Sequence, residues 1–276
     1  MRSLAIAIGL FLFAAFAWRP EAAEGTDFDR YGRLAAFPGK IMVNCPAQDA
    51  RTAVILAMGQ SNIANETEPP PPGAAAHPNL FNFYKGQCAA AATPLLGASG
   101  TGGEWLSLLG DALIRSGRYD KVVLVLAAVG GQRILRFAEG DLRDMLDETA
   151  AALASRYRVT HALWHQGESD FAAGTDPDAY RAMFHKIVER LRKSGVDAPI
   201  FLSTATYCPS MAPWRPANAI QKAQRPDENL GVFAGVDSDA LDEATGRFDG
   251  CHLSRRGQEW AATAEAAAIA AYDRRP

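Results

Sequence analysis

The sequence predicts an α/β fold: a three-layer α/β/α sandwich built on a mainly parallel sheet. Three observations carry this. Apolar strand-like runs alternate with helical patterns along the whole chain. Lys121 to Val129 is apolar almost without interruption, as in strands covered on both faces. Residues 176–195 form a strongly periodic helix with a start and a stop signal.

The elements follow in order. Arg2 precedes an apolar run, Leu4 to Ala17, broken only by Gly9. That run is short for a membrane span and reads as a secretory signal over residues 1–23. Cleavage is expected after Ala15-Phe16-Ala17 or near Ala22-Ala23, and an uncleaved anchor is the alternative. Residues 24–276 then form one domain, and no stable membrane insertion is expected after cleavage. Residues 24–52 read as an irregular entry segment. Val54 to Met58 is a buried strand that stops at Gly59-Gln60-Ser61-Asn62. The loop that follows carries Pro69 to Pro72, which excludes helix and central strand. It reads either as a wall of the site or as a mobile surface loop.

Asn79 to Tyr84 is a short strand. The glycine-rich block Gly97 to Trp105 leads into a helix through Arg115 and lacks the Gly-Lys-Ser/Thr ending of a phosphate loop. The strand 121–129 ends in Gly130-Gly131. Leu142, Met145, Leu146, Thr149 and Leu153 share a helical face. Ala162-Leu163-Trp164 is a strand entering His165-Gln166-Gly167-Glu168. Asp176 caps a helix with Pro177 in its first turn and Gly195 at its end. Strands at 199–207 and 230–236 precede Asp249-Gly250-Cys251-His252, and an alanine-rich helix closes the chain near Tyr272.

Of the 276 residues, 28 are Lys or Arg and 31 are Asp or Glu, a net charge of −3, with no basic run, so no nucleic-acid partner is expected. The four cysteines are even in number, and in an exported chain they favour two disulfides. Four cysteines allow three connectivities. Cys45–Cys88 would brace segments on either side of the serine turn, and Cys208–Cys251 would join a strand end to the His252 loop. Free buried thiols are the alternative. No C-x-x-C step suggests zinc, so no metal or other cofactor is expected.

Ser61 sits where an open α/β sheet presents its ligand crevice, at the carboxyl end of a strand. A serine nucleophile needs a histidine base and a carboxylate to orient it. Among His77, His161, His165, His185 and His252, the last has Asp249 three residues before it. Alone, that spacing is common by chance. An oxyanion needs preorganised donors. Ser61 N–H, an N–H of Gly102 or Gly103, and the Gln166 amide are the candidates. Trp105, Trp164 and Trp214 offer faces for a sugar or for the core.

Gly59-Gln60-Ser61-Asn62, His165-Gln166-Gly167-Glu168 and Asp249-x-x-His252 together resemble the SGNH hydrolase superfamily, in its sialate O-acetylesterase and acetylxylan esterase branch. The resemblance implies a flavodoxin-like, mainly parallel five-stranded sheet. It implies a serine esterase acting on an acetylated carbohydrate, with Ser61 as nucleophile, His252 as base and Asp249 as its orienter. Ser61, Gln166 and a glycine near Gly103 would form the oxyanion hole, with Gly102, Glu168 and Asn62 supporting. Glu168 either helps orient His252 or is a structural acceptor, and the structural role is preferred. A periplasmic or secreted location follows from the leader. An envelope O-acyltransferase with the same triad and a catalytically silent glycan-binding protein are the alternatives.

Overall fold

The computed structural model describes residues 24–71, 77–241 and 243–275. The expected leader, residues 1–23, and Pro72 lie outside the described residues. A ribbon of β1 (Asp27–Phe28) and β2 (Leu34–Ala36) stands apart from the main sheet. The main sheet contains β3 (Met42–Val43), β4 (Thr52–Gly59), β5 (Leu80–Tyr84), β6 (Gln87–Ala90), β7 (Lys121–Ala128), β8 (His161–His165), β9 (Ile200–Thr204) and β10 (Val232–Asp237). Their order is β10-β9-β8-β4-β7-β5-β6-β3. From β10 to β5 every pairing is parallel, and β6 and β3 add an antiparallel edge.

The helices are α1 (Leu106–Arg115), α2 (Ile134–Ala138), α3 (Asp141–Ala154), α4 (Glu168–Ala172), α5 (Pro177–Lys193), α6 (Ala219–Ala223), α7 (Glu243–Gly246) and α8 (Arg255–Tyr272). Side chains alternate across a strand, and β4 shows what this does to the layers. Val54, Leu56 and Met58 pack into the core shared with α2, α3 and α5. Ala53, Ile55 and Ala57 pack into the opposite core, shared with α1 and α8. All of β4 is therefore buried, which is why its sequence shows a continuous apolar run.

The expected sheet of five strands is corrected to eight. The additions come from the edge and are weak in sequence. β5 turns into β6 through Lys85-Gly86, both at positive φ (47° and 84°), a two-residue hairpin turn without its usual asparagine or aspartate. β3 is only two residues long, inside the segment read as irregular. The long helices agree with their signals. Asp176 accepts from Ala179 N–H at 2.9 Å at the start of α5, and Ser254 accepts from Gly257 N–H at 3.1 Å at the start of α8. Both disulfides form as paired above: Cys45–Cys88 and Cys208–Cys251, with Cα–Cα distances of 5.0 and 4.3 Å.

The chain runs outward from β4 on one side through β7 and β5, and on the other through β8, β9 and β10. The order reverses at β4, and an open α/β sheet places its ligand site beyond the carboxyl end of the strand at such a point, here between β7 and β8. Gly59 closes β4 at φ +138°, where a Cβ would fall 2.0 Å from the His165 carbonyl oxygen. Glycine is required at that contact, and the close approach of β4 to β8 brings Ser61 and Gln166 to the same end of the sheet.

Glu265 of α8 is buried against this sheet. Its Oε2 accepts from Val236 N–H at 2.8 Å, and its Oε1 has no partner. Burial pushes its pKa up from 4.5 to about 7, against that one backbone hydrogen bond. The native state therefore retains a proton that the unfolded chain releases, and the stability it contributes is present below about pH 4.5 and lost as pH rises through 7. Glu265→Gln is expected to raise Tm relative to wild type at about pH 8 and to lose that advantage at about pH 5. Melting curves at both pH values check this; a difference independent of pH would contradict it.

Candidate active site

Ser61 opens a 3-10 turn, Ser61–Ile63, directly after β4, and is only 4% exposed. Its N–H has no protein acceptor among the described residues. Asn62 follows and is wholly buried. Its Oδ1 accepts from Leu253 N–H at 3.0 Å, and its Nδ2 donates to the Cys251 carbonyl at 3.4 Å and to Glu168 Oε1 at 2.9 Å. Residues on both sides of His252 are thus bonded to the neighbour of Ser61.

The His252 loop is a small hairpin. Arg247 bridges to Leu253, and Phe248 N–H donates to the His252 carbonyl at 3.0 Å. Gly250 turns it at φ +82°. Asp249 Oδ1 accepts from Cys251 N–H at 2.9 Å and His252 N–H at 2.7 Å, while Oδ2 takes His252 Nδ1 at 2.7 Å. Burial works against the Asp249 carboxylate. The His252 ring and the two backbone N–H groups outweigh it and hold its pKa below the ordinary value. Asp249 is ionised in this arrangement and His252 Nδ1 carries the donated hydrogen, which leaves Nε2 for another partner. Arg247, almost wholly buried, donates from Nη1 to the Cys251 carbonyl at 2.8 Å, and the Cys208–Cys251 disulfide ties the same loop to the loop after β9.

Glu168 lies beneath. Burial raises its pKa from 4.5 to about 6, and the bond from Asn62 opposes this. Its Oε1 is 3.9 Å from His165 Nε2, and no bond links it to His252. His165 is wholly buried; desolvation, aided by the Arg247 charge, lowers its pKa to about 3, so it is neutral. His161 contacts Asp273 and His185 lies near Asp227, both away from this loop.

The oxyanion candidates divide. The Gly102 and Gly103 N–H groups donate to the Asn65 and Thr67 carbonyls, both at 2.8 Å, and are engaged in holding the loop after Ser61. Gln166 is wholly buried, with Nε2 at 2.6 Å from Asp170 Oδ2 and 3.1 Å from the Gln132 carbonyl. A direct contact to a ligand oxygen requires one of those bonds to exchange. The Gly130-Gly131 turn at the end of β7 was not singled out from sequence for this role. Its Gly130 N–H donates to Ser99 Oγ at 2.7 Å, Ser99 donates to Glu66 Oε1 at 2.5 Å, and Gly131 N–H has no protein acceptor among the described residues. A strand ending in two glycines beside the serine strand was the available signal.

The loop after Ser61 is fixed through Glu68. Glu68 N–H donates to the Leu253 carbonyl at 3.0 Å, and Gln258 Nε2 donates to the Glu68 carbonyl at 2.7 Å. Trp105 and Trp164 are core residues with no exposed surface, and Trp105 Nε1 donates to the Asn62 carbonyl at 2.7 Å. Trp214 packs on Tyr207, ring centroids 4.9 Å apart. Among the described residues no three His, Cys, Asp or Glu side chains cluster as metal ligands would.

A scan against protein-family profiles matches residues 51–271 to the carbohydrate esterase family described as sialic acid-specific acetylesterase. The chain belongs to that family. It is a carboxylic ester hydrolase. Solved structures share its fold. An Arabidopsis thaliana protein aligns with TM-score 0.65 at 18% identity, covering 81% of this chain and 99% of its own. A carbohydrate acetylesterase from Xanthomonas citri aligns with TM-score 0.55 at 17% identity, covering 79% of this chain and 55% of its own. A psychrotrophic esterase from Pseudoalteromonas sp., solved with monoethylphosphonate, aligns with TM-score 0.50 at 18% identity, covering 80% and 99%. A search of the curated proteins found no match.

Asn62 and Glu168 can be separated by substitution. Asn62→Ala leaves the Leu253 N–H and the Glu168 carboxylate without partners, and each buried orphan costs about 1–3 kcal/mol. The variant is expected to melt at lower temperature and to lose turnover. Glu168→Gln keeps an oxygen that accepts from Asn62 and is expected to retain most turnover. Melting curves and initial rates on both variants check this; a Glu168→Gln enzyme as inactive as a triad variant would contradict the structural role.

Proposed function

We propose that this carbohydrate esterase is exported and removes O-acetyl groups from a carbohydrate through Ser61, His252 and Asp249. One observation supports the triad above the others: the Asn62 side chain bonds the residues flanking His252 to the turn that carries Ser61. The nucleophile and the base thereby belong to one rigid unit, and Asp249 is already bonded to His252 Nδ1.

In this reading His252 Nε2 accepts the Ser61 hydroxyl proton as Oγ bonds to the acetyl carbonyl carbon. The carbonyl electron pair moves onto oxygen. That oxyanion is met by the Ser61 and Gly131 N–H groups, with Gln166 as a third donor when its bond to Asp170 or Gln132 exchanges. Collapse breaks the bond to the sugar oxygen, which takes the proton from His252 Nε2 and leaves as an alcohol. Water then gives a proton to His252 Nε2 as its oxygen bonds to the acetyl carbon. Collapse breaks the bond to Ser61 Oγ, which takes that proton back from His252, and the acid leaves as acetate once it has lost its own proton to solvent. Asp249 remains ionised throughout and stabilises the imidazolium that forms twice per cycle. No step calls for a cofactor.

Export is supported by the leader-like sequence at residues 1–23 and by two disulfides, which persist in oxidising compartments. No helix among the described residues is long and apolar enough to cross a membrane.

The test is acetate release from p-nitrophenyl acetate and from a panel of acetylated sugars. Ser61→Ala is expected to lower turnover by about 10⁴ or more, and Asp249→Asn by about 10³–10⁴ with binding little changed. A Ser61→Ala enzyme that retains wild-type turnover would overturn the triad. Acetyl transfer to an added glycan in preference to water would replace hydrolysis by acyl transfer.

A further inference from the structure

The hairpin that carries His252 holds a second ring. Phe248 and His252 are linked by the Phe248 N–H to His252 carbonyl bond, one step inside the Arg247–Leu253 bridge. Residues opposite each other on an antiparallel pair project to the same face. Their rings are accordingly neighbours, with centroids 6.2 Å apart and planes inclined by 33°.

Phe248 is 46% exposed and belongs to none of the hydrophobic clusters of the core. A single exposed apolar side chain is ordinary on a protein surface, so exposure alone carries nothing. Placement and rigidity do. The other exposed aromatic rings among the described residues, Phe28 and Trp260, lie on β1 and on α8 and not on the triad hairpin. The hairpin under Phe248 is fixed from three directions: by the Cys208–Cys251 disulfide, by Arg247 on the Cys251 carbonyl, and by Asn62 on Leu253 N–H. Trp105 and Trp164 are fully buried, and Trp214, partly exposed, packs on Tyr207 beside the Cys208 end of the disulfide, so among the described residues Phe248 is the exposed ring on the triad hairpin itself.

The direction of the chemistry says what that face meets. The base of an ester hydrolase delivers its proton to the departing alcohol oxygen. A ring beside His252 therefore stands on the alcohol side of the ester, whereas Gly131, at the end of β7, stands on the oxyanion side. The acetyl group is too small to reach past the triad, and the moiety that extends over Phe248 is the alcohol.

We propose that Phe248 is the platform on which the alcohol half of the substrate stacks, and that this half is a sugar ring presenting a face of C–H groups. The inference rests on the triad reading above and adds to it a residue that selects the alcohol. Aromatic ring pairs contribute about 0.5–1.5 kcal/mol beyond the area they bury, and a stacked sugar face is taken to be of the same order, which corresponds to about two- to tenfold in affinity.

The experiment compares two acetate esters: a soluble acetylated methyl pyranoside, which has a ring to stack, and ethyl acetate, which has none. The quantity read is the ratio of their kcat/KM values. Phe248→Ala is expected to lower that ratio about two- to tenfold, mostly through KM for the pyranoside. Phe248→Leu, which keeps apolar bulk without a flat face, is expected to lower it as well, and Phe248→Trp to restore it. A ratio that stays at the wild-type value in Phe248→Ala and Phe248→Leu, both esters losing rate together, would overturn the platform and leave Phe248 a support for His252. A wild-type enzyme inactive on both esters would overturn the esterase reading itself, a result distinct from an unchanged ratio.

Discussion

The side chain of Asn62 is the joint on which the site depends. It satisfies a backbone N–H on one side of His252 and a carbonyl on the other, and it is held from below by the Glu168 carboxylate. Every group in this joint is buried, and a buried polar group without a partner is costly. The hairpin bearing Asp249 and His252 consequently has one well-satisfied position against the Ser61 turn. Arg247 reinforces it by donating to the same Cys251 carbonyl. Glu168 faces Asn62 and His165 and has no bond to His252, which accords with a structural role for its carboxylate. Its raised pKa reflects burial, which outweighs the Asn62 amide and the backbone N–H of Glu168 itself.

The sheet explains why the joint can form where it does. The chain reverses direction across β4, so the loops after β4, β7 and β8 converge at one end. The Gly59 contact with the His165 carbonyl draws β4 and β8 together, and the Ser99–Glu66 pair anchors the Gly130-Gly131 turn on the β7 side. The Cys208–Cys251 bond adds a covalent tie from the loop after β9 to the His252 hairpin. Membership of the carbohydrate esterase family accords with a site of this kind.

Much of this was legible in the residues. β4 and β7 announced themselves as doubly buried strands, and α5 by its Asp176-Pro177 start, whereas Asp249-x-x-His252 was legible as a candidate pair and not as a hairpin. Both disulfides followed from which segments had to meet. The edge of the sheet was harder, because β3 and β6 are short and the Lys85-Gly86 turn lacks the strongest hairpin residues. The Gly130-Gly131 turn, proposed above as an oxyanion donor, was hidden for a different reason. Two glycine pairs stand beside helices, and only the strand order shows that the 130–131 pair neighbours Ser61 while Gly102 and Gly103 pair with Asn65 and Thr67. Arg247 and Phe248 gave no sequence signal, since their roles arise from the cross-strand geometry of one short hairpin.

The central claim is that Ser61 is made nucleophilic by His252 across this joint. It is tested most directly by treating the protein with a serine-reactive organophosphonate and mapping the adduct by peptide mass spectrometry. The account predicts a single modified serine, Ser61, labelled rapidly in wild type and only very slowly in His252→Ala, with melting curves confirming that the variant is folded. Labelling of a different serine, or labelling of Ser61 at the same rate in folded His252→Ala, would contradict it.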